Sequence, residues 1–591
     1  MAGDDGPLGT HGSLGTQGLL EALQGLRRHL DQDLFPLAIG DVAADRRMLK
    51  ELSGQLDDYL LPRLAAIDAP LLVVVGGSTG AGKSTLVNSL VGADVTEPGV
   101  LRPTTLAPTL VANPADVAWF TAANVLPGMP RMTGEGVAGG GRGEPGTLRI
   151  VASDGLSAGL ALLDAPDVDS VVSANRELAA QLLAAADLWL FVTTAARYAD
   201  EVPWGFLRRA RERSTALAVI LQRVPPEARD PVTADLARLL RENGLAEAPL
   251  FTVSELDLSS ERARLPVPAV RPISDWLAGL AADARSRAAV VRQTLTGALD
   301  SLALRVPELA DRVDRQQTGI AELRDAVDGA YASALVGFDE GMRDGVLLRG
   351  EVLARWQDFI GTGDLMRSLQ SRVGRLRDRV TAVITGRPPP ERELRVALET
   401  GVEALIRAVA DGAAERSVES WLARPAGRDL LEKSGVVVTG RLGRASPELP
   451  GRAETAVRAW QGHVLDMVRS EGADRRTLAR AASFGVNSLG VLLMLAVFSA
   501  TGGLTGIEVG IAGGTGALSQ KLLEAVFGDQ AVRELTRAAR EDLRRRVGLI
   551  LDEERVRFTS LLTGIGGVAD TAAHLREAAG AVRKRRERQP L

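Results

Sequence analysis

The sequence predicts a doubly wound α/β domain with a mostly parallel sheet, followed by a long α-helical bundle or stalk that carries a hydrophobic hairpin. Three observations predict it. Seven short apolar runs alternate with helical patterns between residues 69 and 272. A glycine-rich GSTGAGKS segment follows the first run and opens a helical pattern. Beyond residue 272 the strand signals stop, apolar residues recur every three or four positions, and one stretch of 27 residues carries no charge.

Composition agrees with this order. At 591 residues the chain is several times the usual domain length of roughly 100 to 200 residues. Hydrophobic residues make up 45% and aromatic residues only 4%, a balance that favours packed helices over β-sandwiches. The 70 basic and 75 acidic residues nearly cancel, which excludes a chain whose whole surface is built for nucleic acid. There is no cysteine, hence no disulfide framework, thiol nucleophile or Cys-ligated metal.

Residues 1–17 are acidic and glycine-rich, with neither the basic nor the apolar region of a secretory signal, and read as a disordered tail. Residues 18–68 hold two helical patterns, LLEALQGLRRHL and RRMLKELSGQLDDYLLPRL, expected to pack on the bundle. The α/β domain spans 69–272, its strands expected at LLVVVG, PTLVAN, TLRIVAS, GLALLDAP, LWLFVTT, ALAVILQ and PLFTVS. A glycine-rich loop at 124–146 interrupts them.

The bundle is expected over 273–480. Leu295, Leu299, Leu302, Val306, Leu309 and Val313 step by three and four, and Ile320, Leu323 and Val327 extend the row. Pro307 is expected to kink or break that helix. Further rows run through Leu394, Leu398, Val402, Leu405 and Val409, and through Val532, Leu535, Ala539, Leu543 and Val547, with a break expected at RPPP, 387–390. The uncharged stretch at 481–507 exceeds the ~20 residues a helix needs to cross a bilayer core. With the apolar stretch from Val509 it forms an expected hairpin at 481–527, flanked by Arg475, Arg476 and Arg480 before and Arg533, Arg537 and Arg540 after, a pattern that places both ends on the cytoplasmic face. The same residues also read as a buried bundle helix, since Ser, Thr, Asn and Gly dilute the apolarity. Residues 528–591 return as helices ending in RKRRER, 583–588, which reads either as an attractor of anionic lipid or as a solvated helix end. No aromatic residues are interleaved with these charges, so no specific nucleic acid is expected.

The chemistry lies in Gly77, Ser78, Thr79, Gly80, Ala81, Gly82, Lys83, Ser84 and Thr85. Glycines let backbone N–H groups turn toward a β-phosphate, Lys83 reaches the β and γ oxygens, and the Ser84 hydroxyl takes a place on Mg²⁺. Thr104 and Thr105 lie in a loop after the first helix and read either as an ordinary turn or as the source of a hydroxyl that completes the Mg²⁺ site and senses the γ-phosphate. Asp164 ends a strand beside the phosphates, placed to hold a Mg²⁺-bound water.

The order of phosphate loop, RPTT, strand-borne DAP and GKSTLVNSLVG resembles the translation-factor-related GTPases, specifically the dynamin-like branch. LLDAPDVDS and ARYADEVPW resemble large actinobacterial dynamin-like or Era-type GTPases. The resemblance covers residues 70–255 and implies GTP and GDP as substrate and product, Mg²⁺ as cofactor, and Lys83, Thr105 and Asp164 as catalytic residues, with Ser84, Thr105 and Asp164 on the metal. Three positions depart from the family pattern. Asp167 stands where the third motif ends in glycine; Gln222 and Arg223, in QRVP, replace the base-reading motif, leaving Gln222 to imitate its Asn and the Arg223 stem to lie along the base; Gly80 replaces a short polar residue. No glutamine follows Asp164 to orient water, and Arg197 and Asp200 are either a charge-stabilising pair or a salt-bridged loop. The expected function is a membrane-associated GTPase at the cytoplasmic face of the cell membrane, coupling GTP binding and hydrolysis to remodelling or tethering, with lipid and a homo- or hetero-oligomer as partners. A soluble Era-like regulatory GTPase and a hydrolysis-poor nucleotide-binding scaffold are the alternatives.

Overall fold

The computed structural model describes residues 10–96, 107–122, 124–133, 146–170, 172–256, 264–343, 390–435, 441–471, 527–565 and 570–588. Two compact units divide the chain: residues 1–35, 41–314 and 568–591 form one, and residues 36–40 and 315–567 the other.

The first unit is built on eight strands: β1 (Leu71–Gly77), β2 (Thr109–Ala112), β3 (Arg131–Thr133), β4 (Leu148–Ala152), β5 (Leu160–Asp164), β6 (Leu188–Thr194), β7 (Ala216–Val224) and β8 (Leu250–Ser254). All seven expected runs are strands; β3 is an addition, formed inside the glycine-rich 124–146 stretch, where three residues add to the β4 edge. The sheet order is β3-β4-β2-β5-β1-β6-β7-β8. Every pairing is parallel except β2 with β5, whose register sets Thr109 opposite Asp164. β1 and β6 are buried along their whole length, because helices cover both faces, and this is why they read as unbroken apolar runs.

One face packs α4 (Lys83–Val91) and α9 (Val267–Ala282), with Leu86, Val87, Val270, Ile273 and Leu277 against Val73, Val75, Leu162 and Leu190. The other packs α6 (Ser173–Ala184), α7 (Glu201–Glu212) and α8 (Arg229–Glu242), with Leu182, Leu183, Trp204, Leu207 and Leu236 against Leu72, Val74, Trp189 and Val219. A short α5 (Val117–Thr121) lies against β4. Pro272, where the sequence closes the α/β domain, falls inside α9, whose buried face belongs to the sheet's core.

The N-terminal helices α1 (Thr10–Leu30), α2 (Val42–Gln55) and α3 (Leu61–Ala65) belong mainly to this unit, and α1 begins inside the stretch that reads as a tail. The helix α10 (Ala284–Arg343) contributes residues up to 314 here and from 315 to the second unit. Leu295, Leu299, Leu302, Val306, Leu309 and Val313 are all buried, as their spacing requires. Of the kink or break expected at Pro307, the break does not occur: α10 runs through it. The flanking Val306 and Leu309 are wholly buried, and burying such side chains, at roughly 1.5 to 3 kcal/mol each, offsets a proline cost of about 3 kcal/mol.

Arg63 and Asp187 form an ion pair buried at the edge where β1 and β6 begin. Arg63 also donates to the carbonyls of Ala69 (3.0 Å) and Pro70 (3.1 Å), and Asp187 accepts from Leu72 N–H at 2.8 Å.

The second unit adds α11 (Pro390–Leu422), α12 (Pro425–Lys433), α13 (Leu449–Glu471) and α14 (Asp529–Thr563) to the second part of α10. Its core joins Leu323, Val327, Leu398, Val402, Val532, Leu535, Ala539, Leu543 and Val547. Trp421 and Trp460 are fully buried, and each satisfies its indole N–H on a neighbouring helix, at Leu323 O (2.9 Å) and Ala539 O (2.8 Å). The chain returns to the first unit in α15 (Thr571–Arg588), whose end carries the RKRRER cluster; there Arg586 pairs with Asp300. Among the described residues no helix is long and apolar enough to cross a membrane. The expected hairpin at 481–527 lies outside the described residues except for Phe527.

Candidate functional site

The phosphate loop leaves β1 at the edge where the parallel strands end, the position at which ligands gather on such sheets. Two glycines are required by its path. A Cβ on Gly77, at φ +146°, would lie 1.9 Å from the carbonyl oxygen of Val192 on β6. Gly82 caps α4 in the left-handed conformation, φ +87°, with the buried Gln222 amide beneath it. The loop closes through Ser78 N–H on Val192 O (3.2 Å) and Ala81 N–H on Ser78 O (3.2 Å).

Lys83 opens α4 and is buried. Its ammonium donates to the carbonyls of Gly77 (3.1 Å) and Ser78 (3.0 Å) and to the carboxylate of Asp167. Ser84, one residue on, donates its hydroxyl to Asp164 Oδ2 at 2.6 Å. Asp164 is fully buried at the end of β5; burial pushes its carboxyl up to about 6, opposed by the Ser84 hydroxyl, the Lys83 charge and the Thr96 hydroxyl.

The chain after β5 is drawn onto the phosphate loop. Ala165 N–H meets Val75 O (3.1 Å) and Val168 N–H meets Gly77 O (3.3 Å). Asp169 Oδ1 accepts both the N–H (2.6 Å) and the hydroxyl (2.5 Å) of Thr79. Arg197, in the loop after β6, donates to Asp169 Oδ2 (2.8 Å) and to Thr79 O (3.1 Å), and lies 3.5 Å from Asp200. Arg197 and Asp200 therefore stand in a salt-bridged loop, which is one of the two readings the sequence left open.

Gln222, on β7, lies buried against Gly82 with its Nε2 unpartnered. Arg223 is exposed and left-handed, φ 52°, at a register shift where β7 nears its end. Gly80 is exposed at the tip of the loop and Thr85 half-buried in the first turn of α4. Thr104 and Thr105 lie outside the described residues.

The Mg²⁺ that the sequence implies fits the donors present. Asp164 Oδ1 is buried without a hydrogen-bond partner, beside the Ser84 hydroxyl on Oδ2. A spare anionic oxygen and a hydroxyl are the hard donors this ion takes, the rest of its shell coming from water and phosphate. Among the described residues no group of three or more His, Asp or Glu could hold a metal ion. Ser78 Oγ and Thr193 Oγ1, also buried without partners, line the same strand ends.

Sequence reasoning missed Asp169 and the Asn88–Thr96 pair. Asn88 Oδ1 accepts from the N–H groups of Val95 and Thr96 (2.9 Å each), and its amide donates to Thr96 O at 2.8 Å. The readable signal is an Asn inside an otherwise apolar helix face, which needs local partners to be buried.

No protein-family model and no curated protein sequence matches the chain. Among solved structures it is similar to two described as an oligomerised bacterial dynamin pair that provides a mechanism for long-range sensing and tethering of membranes. For one, identity is 9% and the TM-score 0.43, over 99% of this chain and 96% of that one. For the other the values are 9% and 0.43, over 96% and 95%. A likeness this distant establishes no shared activity.

Proposed function

We infer that the chain binds a nucleoside polyphosphate with Mg²⁺ at the Gly77–Thr85 loop and works as a membrane-associated, dynamin-like GTPase. The observation that carries the nucleotide reading is the pairing of Ser84 with Asp164 beside an unpartnered Asp164 oxygen, at the mouth of a loop whose path leaves no room for a side chain at Gly77.

The phosphates are received by the N–H groups of the loop and of the first turn of α4, which have no intrahelical acceptor. Lys83 supplies the fixed positive charge, held in place by the Gly77 and Ser78 carbonyls. Ser84 and Asp164 would hold Mg²⁺, which neutralises phosphate charge when bound. Thr105 senses the terminal phosphate from the segment before β2. Gln222 and Arg223 face the base side, and guanine is the expected base by the resemblance of the loop motifs. Nucleotide-dependent rearrangement of the segments that carry Thr105 and Asp167 then drives the helical unit, and the 481–527 segment carries the cycle to lipid.

A second reading, a hydrolysis-poor nucleotide-binding member of a hetero-oligomer, is favoured by one observation, the Asp167 carboxylate on Lys83. Single-turnover hydrolysis of GTP and ATP by the full-length chain, with Lys83→Ala as control, separates the two. GTP turnover abolished in the variant supports the enzyme. Nucleotide binding without turnover supports the second reading. Flotation with anionic liposomes, with and without nucleotide, tests the membrane part, which fails if the protein never leaves the soluble fraction.

A further inference from the structure

We propose that Asp167, with Asp169 as its anchor, is a specificity-determining residue that makes this site prefer a nucleoside diphosphate to a triphosphate. The proposal rests on the nucleotide reading above.

An ammonium has three donors and no more. Those of Lys83 meet three acceptors, the Gly77 carbonyl, the Ser78 carbonyl and the Asp167 carboxylate. A terminal phosphate oxygen reaches Lys83 only by displacing one of them. The two carbonyls are fixed by the loop itself, and Gly77 O is shared with Val168 N–H. The carboxylate is the one acceptor that can leave, and it is also the one with the same charge as the incoming group.

Asp167 is not a loose side chain that happens to fall on the lysine. Its loop is latched two residues on, where Asp169 takes the Thr79 N–H and hydroxyl and is itself held by Arg197. Two carboxylates from one six-residue stretch, 165–170, thus bind the cation and an amide of the phosphate loop, the two kinds of group that recognise phosphate. Together they stand in for an anion beyond the first turn of α4.

A diphosphate draws on Lys83 through its β-phosphate alone and takes most of its hydrogen bonds from the N–H groups of that turn. A triphosphate adds its outermost group against Asp167, so its binding must include the full cost of breaking the Lys83–Asp167 pair. Removing the carboxylate removes a cost that weighs chiefly on the triphosphate.

The test is an equilibrium titration of the full-length protein, in Mg²⁺, with fluorescent GDP and ADP and with the non-hydrolysable fluorescent triphosphate analogue of each. The variants are Asp167→Asn, which keeps size, and Asp167→Gly, with thermal melts of both to confirm folding. Wild type is expected to bind the diphosphate at least about tenfold more tightly than its triphosphate analogue. Both variants are expected to tighten the triphosphate by about tenfold or more and to leave the diphosphate within about threefold. Equal wild-type affinities, or variants that shift both nucleotides alike, overturn the proposal while leaving the nucleotide reading intact. Failure of all four probes to bind overturns both.

Discussion

Arg197 donates from one nitrogen to Asp169 at 2.8 Å and to the Thr79 carbonyl at 3.1 Å, tying the loops after β5 and β6 to the phosphate loop. The guanidinium is partly exposed, so its contribution to global stability is small, about 0 to 1 kcal/mol. Arg197→Ala is expected to leave the melting temperature nearly unchanged while exchange of the Thr79 amide, whose N–H sits on Asp169, accelerates by about tenfold or more. Unchanged protection at that amide would show that the latch does not depend on Arg197.

Ser84 and Asp164 should act as one unit toward the metal. In wild type, chelating Mg²⁺ is expected to weaken nucleotide binding by about tenfold or more; in Ser84→Ala or Asp164→Asn that difference should largely disappear. Titrations with and without EDTA decide it, and a variant retaining the full wild-type Mg²⁺ effect would remove these two residues from the metal site.

Arg63 and Asp187 share a buried pair, and burial raises the Asp187 carboxyl while Arg63 and Leu72 N–H pull it down. Breaking such a pair from one side strands a charge. Arg63→Ala is expected to cost roughly 3 to 5 kcal/mol, and the double change Arg63→Met with Asp187→Leu to recover much of it. Urea denaturation of the three proteins checks this; a single-variant loss below about 1 kcal/mol contradicts it.

Asp58 provides a pH dependence. Burial, with Asp57 adding in the same direction, pushes its carboxyl up to about 6, although the Gln181 amide donates to it at 3.0 Å and pulls the other way. Its ordinary value is 3.8, so between these two pH values the folded state binds the extra proton. Stability from this group is therefore highest below about pH 4 and falls as pH rises through about 6, a loss of roughly 2 to 3 kcal/mol by neutrality. Asp58→Asn is expected to be more stable than wild type at pH 7 to 8 and to converge with it near pH 4, as read by melts across that range. Parallel curves for the two proteins would refute the shift.

Two glycines separate a steric demand from a conformational one. Gly77→Ala places a methyl 1.9 Å from Val192 O and should abolish soluble expression or nucleotide binding. Gly205, within α7, has open space around a built Cβ, so Gly205→Ala should be neutral or stabilise by about 0.5 to 1 kcal/mol. A folded, binding-competent Gly77→Ala protein would show that β1 and β6 separate more easily than their register implies.

The sheet was legible because its strands are buried on both faces, and unbroken runs such as Leu71–Gly77 have no other common explanation. The bundle rows were legible for the same reason at a different period, and Leu295 to Val313 lie buried as spaced. β3 escaped because two half-buried residues and an exposed one on an edge carry almost no pattern. At Pro307 the helix does not stop, because a local rule yields to the buried residues around it. In the site, Lys83, Ser84 and Asp164 follow from motif spacing, but the roles of Asp169 and Arg197 come from contacts across 90 and 118 positions of chain, which no local pattern records.

The single antiparallel pairing of the sheet has a consequence for the segment that precedes it. Because β2 runs against β5, the chain enters β2 at the phosphate edge, with Thr109 opposite Asp164. The preceding described residue group ends at Thr96, pinned by Asn88 and lying 3.3 Å from the Ser84 carbonyl. Both anchor points of the stretch that carries Thr105 are thus already at the site. Bringing two chain ends together costs entropy that grows with the length between them, and here β2 and the Asn88 contacts meet that closure cost without a ligand. The reversed direction of β2, which β3 and β4 share, thus brings the start of a strand and not its end to the Ser84–Asp164 pair.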